Sequence, residues 1–369
     1  MSASLERQLA LSMVKGMNLS VARELMARVG SVNAFFDLPQ TRLWQLIGSQ
    51  KAWCSDAARA DALARAAREA YFIKEKNVHA LGFDSAAYPR LLQGCDDAPA
   101  MLYALGDCDL GSPHMIAVVG TRKCSAYGAR MTADIIAGLA EKVDGLVVVS
   151  GLAYGIDVAA HRAALDNGAA TVAVVAHGLT TIYPADHRDI AARIVRSGGA
   201  IVTEYTSDSP THRANFLARN RIVAGLCAAT LVVESDIKGG SMVTASLASA
   251  YGREVLAVPG RATDRYSAGP NALIHDNRAV LVRDAGDIID ALGWVCRTTR
   301  QSLPTLPFDS LDDDRRRVVE FLRIHPDATV SDMAREMDVP YHLLSSRVME
   351  MEMDDLLTAL PGGKYQVNC

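Results

Sequence analysis

The sequence has no apolar run of roughly 18 residues, so no candidate membrane-spanning helix is present. Its opening residues put Glu6 and Arg7 where a secretory leader needs unbroken apolar length, which argues against export. Cysteine is sparse and scattered over positions 54, 95, 108, 124, 227, 296 and 369, with no C-x-x-C pair. That excludes a zinc-finger spacing and a disulfide framework, so reduced thiols in a cytoplasmic protein are expected, with no metal. A strongly basic balance is missing too: the net charge is −4. A nucleic-acid partner would therefore need a local cationic field, because steering depends on local charge and not on the total.

Charge is unevenly spread. Residues 1–80 carry 11 Lys/Arg against 7 Asp/Glu, whereas residues 311–369 carry 7 against 12. A chain of 369 residues with half of them hydrophobic suits two or three domains with a sizeable core. Composition places them at 1–75 (helical), 76–297 (α/β), a proline-bearing polar linker at 298–310, and 311–369 (three helices and a terminal hairpin).

The most informative stretch is Met115–Gly178. Met115–Val119 is a short β-branched apolar run, as expected of a strand buried on both faces. Gly120-Thr121-Arg122-Lys123 follow, and Gly128 precedes a helical pattern to about Glu141. A second unit repeats this: a strand at Leu146–Val149, the turn Ser150-Gly151, then Gly155 and a helix opening at Ile156 or Asp157. Further strands are predicted at Thr171–Ala176, Ala200–Thr203, Thr230–Glu234, Glu254–Val258 and Val280–Arg283, with helices between. Such alternation implies a mostly parallel, doubly wound α/β sheet. Its loops emerge at the carboxyl edge of the strands, where helix N-termini and free backbone N–H groups favour anions. Arg122 and Lys123 add full charges there, so a phosphate site is expected.

The motifs Gly120-Thr121-Arg122, Ser125-x-Tyr127-Gly128, Ser150-Gly151-Leu152-Ala153-x-Gly155-Ile156-Asp157 with His161, and Tyr183-Pro184 resemble the DNA-processing protein A family (DprA, also called Smf). The series continues through Phe216-x-x-Arg219-Asn220-Arg221, Gly240-Ser241-x-x-Thr244-Ala245, Ala257-Val258-Pro259-Gly260 and Asn271-x-Leu273-Ile274, over roughly residues 79–290. The resemblance implies a Rossmann-like core, a homodimer, and a single-stranded-DNA-binding protein that helps load the RecA recombinase during natural transformation. It departs at Ala185-Asp186, where relatives can offer a lysine, and at Asn277-Arg278, which replace the usual glycine before the last strand.

Candidate nucleic-acid-binding residues follow from both arguments: Gly120, Thr121, Arg122, Lys123, Ser125, Gly128 and Gly151 in the first two loops, and Arg213, Phe216, Arg219, Asn220 and Arg221 in the segment THRANFLARNR. Cations serve phosphates, and an aromatic ring gives an unpaired base a face to stack on. Phe216 could instead be a core residue at a helix start, and Arg221 a buried ion-pair partner. Gly240 and Ser241 complete the set as a Gly-rich anion corner after Lys238, with Ser241 expected to cap the next helix. The bland alternative is a simple capped turn. Asp157 and His161, four apart on one helix, are expected to hold the loop as a structural pair.

The terminal segments are less specific. Val14–Ala22 resembles a helix-hairpin-helix turn with Asn18 in place of the second glycine, and Asn18 is expected to tolerate the left-handed conformation. The last 59 residues resemble a winged-helix module, but the third helix ends in MEMEMDD, which repels phosphate, so protein contact or a dimer-accessory role is expected. The competing enzyme reading is a nucleotide phosphoribohydrolase, a group with P-G-G-x-G-T-x-x-E. Aligning Gly239-Gly240 on that motif puts Ser246 where the essential Glu belongs. No catalytic residue and no cofactor are therefore expected.

Overall fold

The structure, a computed structural model, describes residues 3–296, 312–325, 328–354, 356–360 and 363–367. The chain forms two compact units, Met1–Arg297 and Thr298–Cys369. The expected linker at 298–310 lies outside the described residues.

The first unit opens with α1 (Ala3–Ser12), α2 (Leu19–Val29), α3 (Val32–Asp37), α4 (Gln40–Ile47) and α5 (Asp56–Glu75). Asn18 does not take the left-handed conformation. Its backbone is extended (φ −129°), and its side chain accepts from Val21 N–H at 2.9 Å as the N-cap of α2. An Asx side chain there satisfies a helix-end donor, which outweighs its turn propensity. In this segment Arg7, Arg28, Arg59 and Arg65 each pair with a nearby carboxylate. Arg59 is buried and also donates to the carbonyls of Phe35 and Leu38 at 2.6 and 2.9 Å.

Next come β1 (His79–Gly82), α6 (Arg90–Gln93), β2 (Met101–Gly106), β3 (Met115–Val119), α7 (Ala126–Lys142), β4 (Val147–Ser150), α8 (Ile156–Asp166) and β5 (Ala170–Val174). The unit is completed by α9 (Arg188–Arg196), β6 (Ala200–Thr203), α10 (Arg213–Leu226), β7 (Ala229–Val232), α11 (Gly240–Ala250), β8 (Glu254–Ala257), α12 (Ala268–His275), β9 (Val280–Leu281) and α13 (Ala285–Leu292). The nine strands lie in the order β1-β2-β6-β5-β4-β3-β7-β8-β9. All neighbours from β6 to β9 are parallel, while β1 and β2 extend the sheet antiparallel. This is a Rossmann-like α/β sheet. The chain runs outward from β3 to β6 and returns to pair β7 with β3, so the strand order reverses there.

Both faces are covered. On β3, Met115, Ala117 and Val119 join one core, and Ile116 and Val118 join the other. That two-residue alternation between two apolar layers explains why the strand reads as a continuous apolar run. The first core is continuous with the N-terminal helices, placing Leu9, Leu11, Phe35, Ala66 and Ile73 in one cluster with Leu102, Met115 and Val147. A polar clamp adds to it. Glu69 on α5, 5% exposed, accepts from Ser207 N–H at 3.0 Å and from Ser207 Oγ at 2.6 Å in the loop leading to α10.

The second unit contains α14 (Asp313–Ile324), α15 (Val330–Met337), α16 (Tyr341–Met353) and an antiparallel hairpin of β10 (Leu357–Leu360) and β11 (Lys364–Val367). Arg347 on α16 is bound to Asp312 and Asp314 at 3.4 and 2.9 Å, and Arg315 to Asp354 at 2.9 Å. The third helix thus presents acidic and apolar groups, with Met349 and Met353 exposed.

Candidate nucleic-acid interface

The reversal between β3 and β7 opens a crevice at the carboxyl edge of the sheet, the place where doubly wound folds receive ligands. Three loops build it, those after β3, β4 and β7. They are laced together: Thr121 N–H donates to Glu234 O at 2.7 Å, and Ile156 N–H donates to Thr121 O at 3.2 Å. Gly155 (φ +76°) lies against the Thr121–Arg122 backbone, where any Cβ would collide. Only glycine allows both that conformation and that approach. The cavity between the loops has a volume of about 290 Å³, with Thr121, Arg122, Phe216, Asn220, Gly240 and Ser241 among its lining.

At its mouth Arg122 is exposed, and its guanidinium carbon lies 5.4 Å from the centre of the Phe216 ring. Phe216 is half-buried and meets Tyr183 edge-on at 5.6 Å. It is therefore not the core residue its position at a helix start allowed. Arg122, Lys123, Arg213 and Lys238 are exposed, and among the described residues none of them has a carboxylate partner. Of the four, Arg122 lines the cavity, as do Gly120, Thr121, Asn220, Gly240 and Ser241, while Lys123, Arg213 and Lys238 stand near lining residues in sequence.

Other expected contacts are put to different use. Ser125 N–H donates to Glu234 at 2.8 Å, the Ser125 hydroxyl bonds the same carboxylate, and a Cβ on Gly128 would collide with it. Glu234, 4% exposed, thus occupies the N-terminus of α7, and the anion site expected there is filled from within. Arg219 is 5% exposed and donates to the carbonyls of Gly151 and Val174, the first at 2.7 Å. Gly151 carries no Cβ because the guanidinium fills that space. Arg221 is paired with Glu204, both side chains less than a fifth exposed, as the ion-pair alternative required. Ser241 does not cap α11: the N-cap is Gly239 with no side-chain hydrogen bond, and Ser241 Oγ donates to Ser235 Oγ at 2.7 Å.

The expected Asp157–His161 contact is absent among the described bonds. Asp157 accepts from Ala153 N–H at 3.4 Å, and burial pushes its carboxyl above the usual range, with the nearby Arg219 charge opposing. His161 Nδ1 lies 2.7 Å from Thr171 Oγ1, whose own proton goes to Val148 O at 2.7 Å. The ring must therefore be the donor at Nδ1. Burial, reinforced by Arg219, pushes its pKa down to about 3, so it is neutral near pH 7. Sequence reasoning gave no site role to Glu234 or Ser235, nor to Tyr183, which it met only as part of a family motif. A buried carboxylate directly after an apolar strand was the available signal for Glu234, since such a charge needs donors, and a helix N-terminus supplies them. Ser246, at the position where hydrolases carry their Glu, is exposed and donates to Met242 O at 3.0 Å.

Fold and crevice together define a doubly wound α/β protein with a pocket lined by Arg122 and Phe216 at its topological switch point. The model of the family described as DNA recombination-mediator protein A matches residues 79–293, and the chain belongs to that family. It is 42% identical over 243 residues to the putative DNA processing protein DprA of Mycobacterium tuberculosis, a match covering 65% of this chain and 61% of that protein. Protein Smf of Escherichia coli is 35% identical over 299 residues, covering 79% and 78%. The X-ray structure of DNA processing protein A from Streptococcus pneumoniae superposes with a TM-score of 0.65 at 32% identity, covering 79% of this chain and 98% of that one. A Helicobacter pylori structure concerned with the single-stranded-DNA binding mode of DNA processing protein A gives 0.52 at 30% identity, covering 58% and 95%. No described helix is long and apolar enough to cross a membrane.

Proposed function

We propose that this chain is a cytoplasmic DNA-processing protein that binds single-stranded DNA at the β3/β7 crevice, acts as a homodimer, and delivers the strand to the RecA recombinase. The observation that carries the reading is the cation–π contact of Arg122 with Phe216 at the crevice, 5.4 Å from guanidinium carbon to ring centre. One group serves phosphate and the other a base, and they sit within a nucleotide's reach of each other. The Helicobacter pylori relative, studied for single-stranded-DNA binding, supports the same ligand here.

Roles divide by what each group already bonds. Arg122, Lys123 and Arg213 meet phosphates, backbone groups at Gly120, Gly240 and Ser241 and the Thr121 hydroxyl help to seat them, Asn220 lines the pocket, and Phe216 stacks. Ser125, Gly128, Gly151, Arg219 and Arg221 hold the loops. The hydrolase reading lacks its carboxylate at Ser246. A salt titration of the full chain with an oligothymidine and with duplex of equal length tests the proposal. Single strands should bind more tightly, with log K falling against log salt by roughly 0.7 per phosphate contact. Equal affinity for duplex, or release of adenine from AMP, would overturn it.

A further inference from the structure

Beyond the cavity, the carboxyl edge of the sheet carries a second surface. Tyr154, in the turn between β4 and α8, and Tyr183, between β5 and α9, leave 43% and 47% of their surface in water, and neither lines the cavity. They continue a line of rings that begins at Phe216. Tyr183 meets Phe216 edge-on at 5.6 Å. The Tyr154 phenol is held above its ordinary pKa first by its hydrogen bond to Asp186 and, among smaller causes, by the neighbouring Tyr183. Because β4 and β5 follow β3 in the sheet on the side away from β7, the line leads outward from the crevice. Both tyrosines are anchored by buried histidines. His177 accepts from Tyr183 N–H at 3.2 Å through Nε2, while its Nδ1 faces Gly178 O at 2.8 Å. His187 packs edge-on against Tyr154 at 4.9 Å, with its own Nδ1 2.8 Å from Leu152 O, and the Tyr154 hydroxyl donates to Asp186 Oδ2 at 2.7 Å.

We infer that Tyr183 and Tyr154 are further base-stacking platforms, so that a single strand leaving the crevice runs across β4 towards β5 with its bases turned to the protein. The inference rests on the single-strand reading above and gives that strand a path. A ring left nearly half in water forgoes much of the gain an aromatic side chain makes on burial. An unpaired base recovers it, since every base has a flat face, and a ring already held in place loses little freedom on stacking. Phosphates are poorly served on this flank. Asp186 and Asp189 are exposed on either side of Arg188, so the local charge does not favour an anion. Arg122 and Lys123, by contrast, stand exposed in the loop after β3. The strand is thus gripped by phosphate at one end of the site and by base at the other.

Binding of a thymidine dinucleotide and of a longer oligothymidine to the full chain tests this. Tyr154→Ala combined with Tyr183→Ala should weaken the longer strand by about tenfold or more. The dinucleotide, seated in the crevice, should bind almost as before, and the salt slope should not change, since no cation is removed. Tyr154→Phe with Tyr183→Phe keeps both rings and should restore the longer strand's affinity. Abasic residues flanking a short thymidine core should cost the unaltered protein the same increment and cost the alanine variant nothing further. That strand needs no altered protein, so it decides the matter even if the alanine variant fails to fold. Abasic flanks without cost, or a folded alanine variant with normal affinity for the longer strand, refute the platforms while single-strand binding survives. A loss shared equally by the dinucleotide means that Tyr183 acts only by seating Phe216, and it overturns the inference too. If the unaltered protein binds neither strand, the broader reading fails instead.

Discussion

Removing Phe216 and Arg122 separately tests the interface most directly, because the structure couples two groups with different tasks. Phe216 is half-buried and packs on Tyr183 and Arg122, so truncation should cost less than the roughly 3–5 kcal/mol of a core phenylalanine. Phe216→Ala should therefore remain folded. Its affinity for single strands should fall by the stacking contribution of one base, about 1–3 kcal/mol, or roughly five- to 150-fold. The salt dependence should hardly change, since no cation is lost. Arg122→Ala should lose a comparable amount through a charge-assisted contact, about 1.5–3 kcal/mol, and its salt slope should drop by roughly 0.7. Because the guanidinium rests 5.4 Å from the ring centre, Phe216→Ala also removes the seat that orients Arg122. The double variant should lose less than the sum of the two, by about 0.5–1 kcal/mol, the worth of an exposed cation–π contact. Fluorescence anisotropy with labelled oligothymidine at several salt concentrations reads all three quantities. A folded Phe216→Ala protein with normal affinity, or an Arg122→Ala protein with unchanged affinity and slope, refutes the assignment.

Further outcomes follow from the groups that hold the loops. Glu234→Ala should destabilise the protein by about 1.5–3 kcal/mol through lost charge-assisted bonds to Ser125, and added phosphate should raise its melting temperature more than that of the unaltered protein by filling the vacated α7 terminus. Removing residues 311–369 should leave single-strand affinity within threefold in an anisotropy titration at matched oligomeric state, because Arg347 and Arg315 are already spent on internal carboxylates. His161 supplies a pH test. Its folded pKa of about 3 lies below the ordinary 6.5, so below about pH 6.5 the unfolded chain binds a proton that the native ring refuses. Stability from this residue is therefore lost as pH falls, by about 2 kcal/mol between pH 7 and 5. Urea unfolding of His161→Gln should show a shallower loss over that interval, and identical slopes would mean that the ring is protonated in the native state.

The parallel part of the sheet, β3 to β9, could be read from sequence, since β3, β4 and β7 are short β-branched runs ended by glycine or polar breakers, and both faces being buried leaves few polar residues inside them. In contrast, β1 and β2, in a turn-rich segment, do not read as strands. The mouth of the crevice was legible for the same reason: Arg122 and Phe216 stand out as a cation and a ring in polar segments. What sequence could not divide was the set of charged residues. Arg213 and Arg219 lie in one cationic segment, yet one is exposed and the other points inward to the carbonyls of Gly151 and Val174. Burial decides the role, and it depends on partners distant in sequence. Glu234 is the sharpest case, for it meets Ser125 across 109 residues and converts an apparent phosphate site into a closed helix end. Asn18 and Ser241 show the local limit: a short polar side chain suits both turns and caps, and one residue of register settles which it serves.

The hydrogen bonds from Ser207 to Glu69 join α5 to the loop that feeds Arg213 and Phe216. An occupant of the crevice that orders this loop must also tighten the seating of α5, and equilibrium linkage makes the effect reciprocal: whatever loosens α5 weakens the occupant by the same factor. Where an occupant does order that loop, the N-terminal helices become a remote handle on its affinity without touching it.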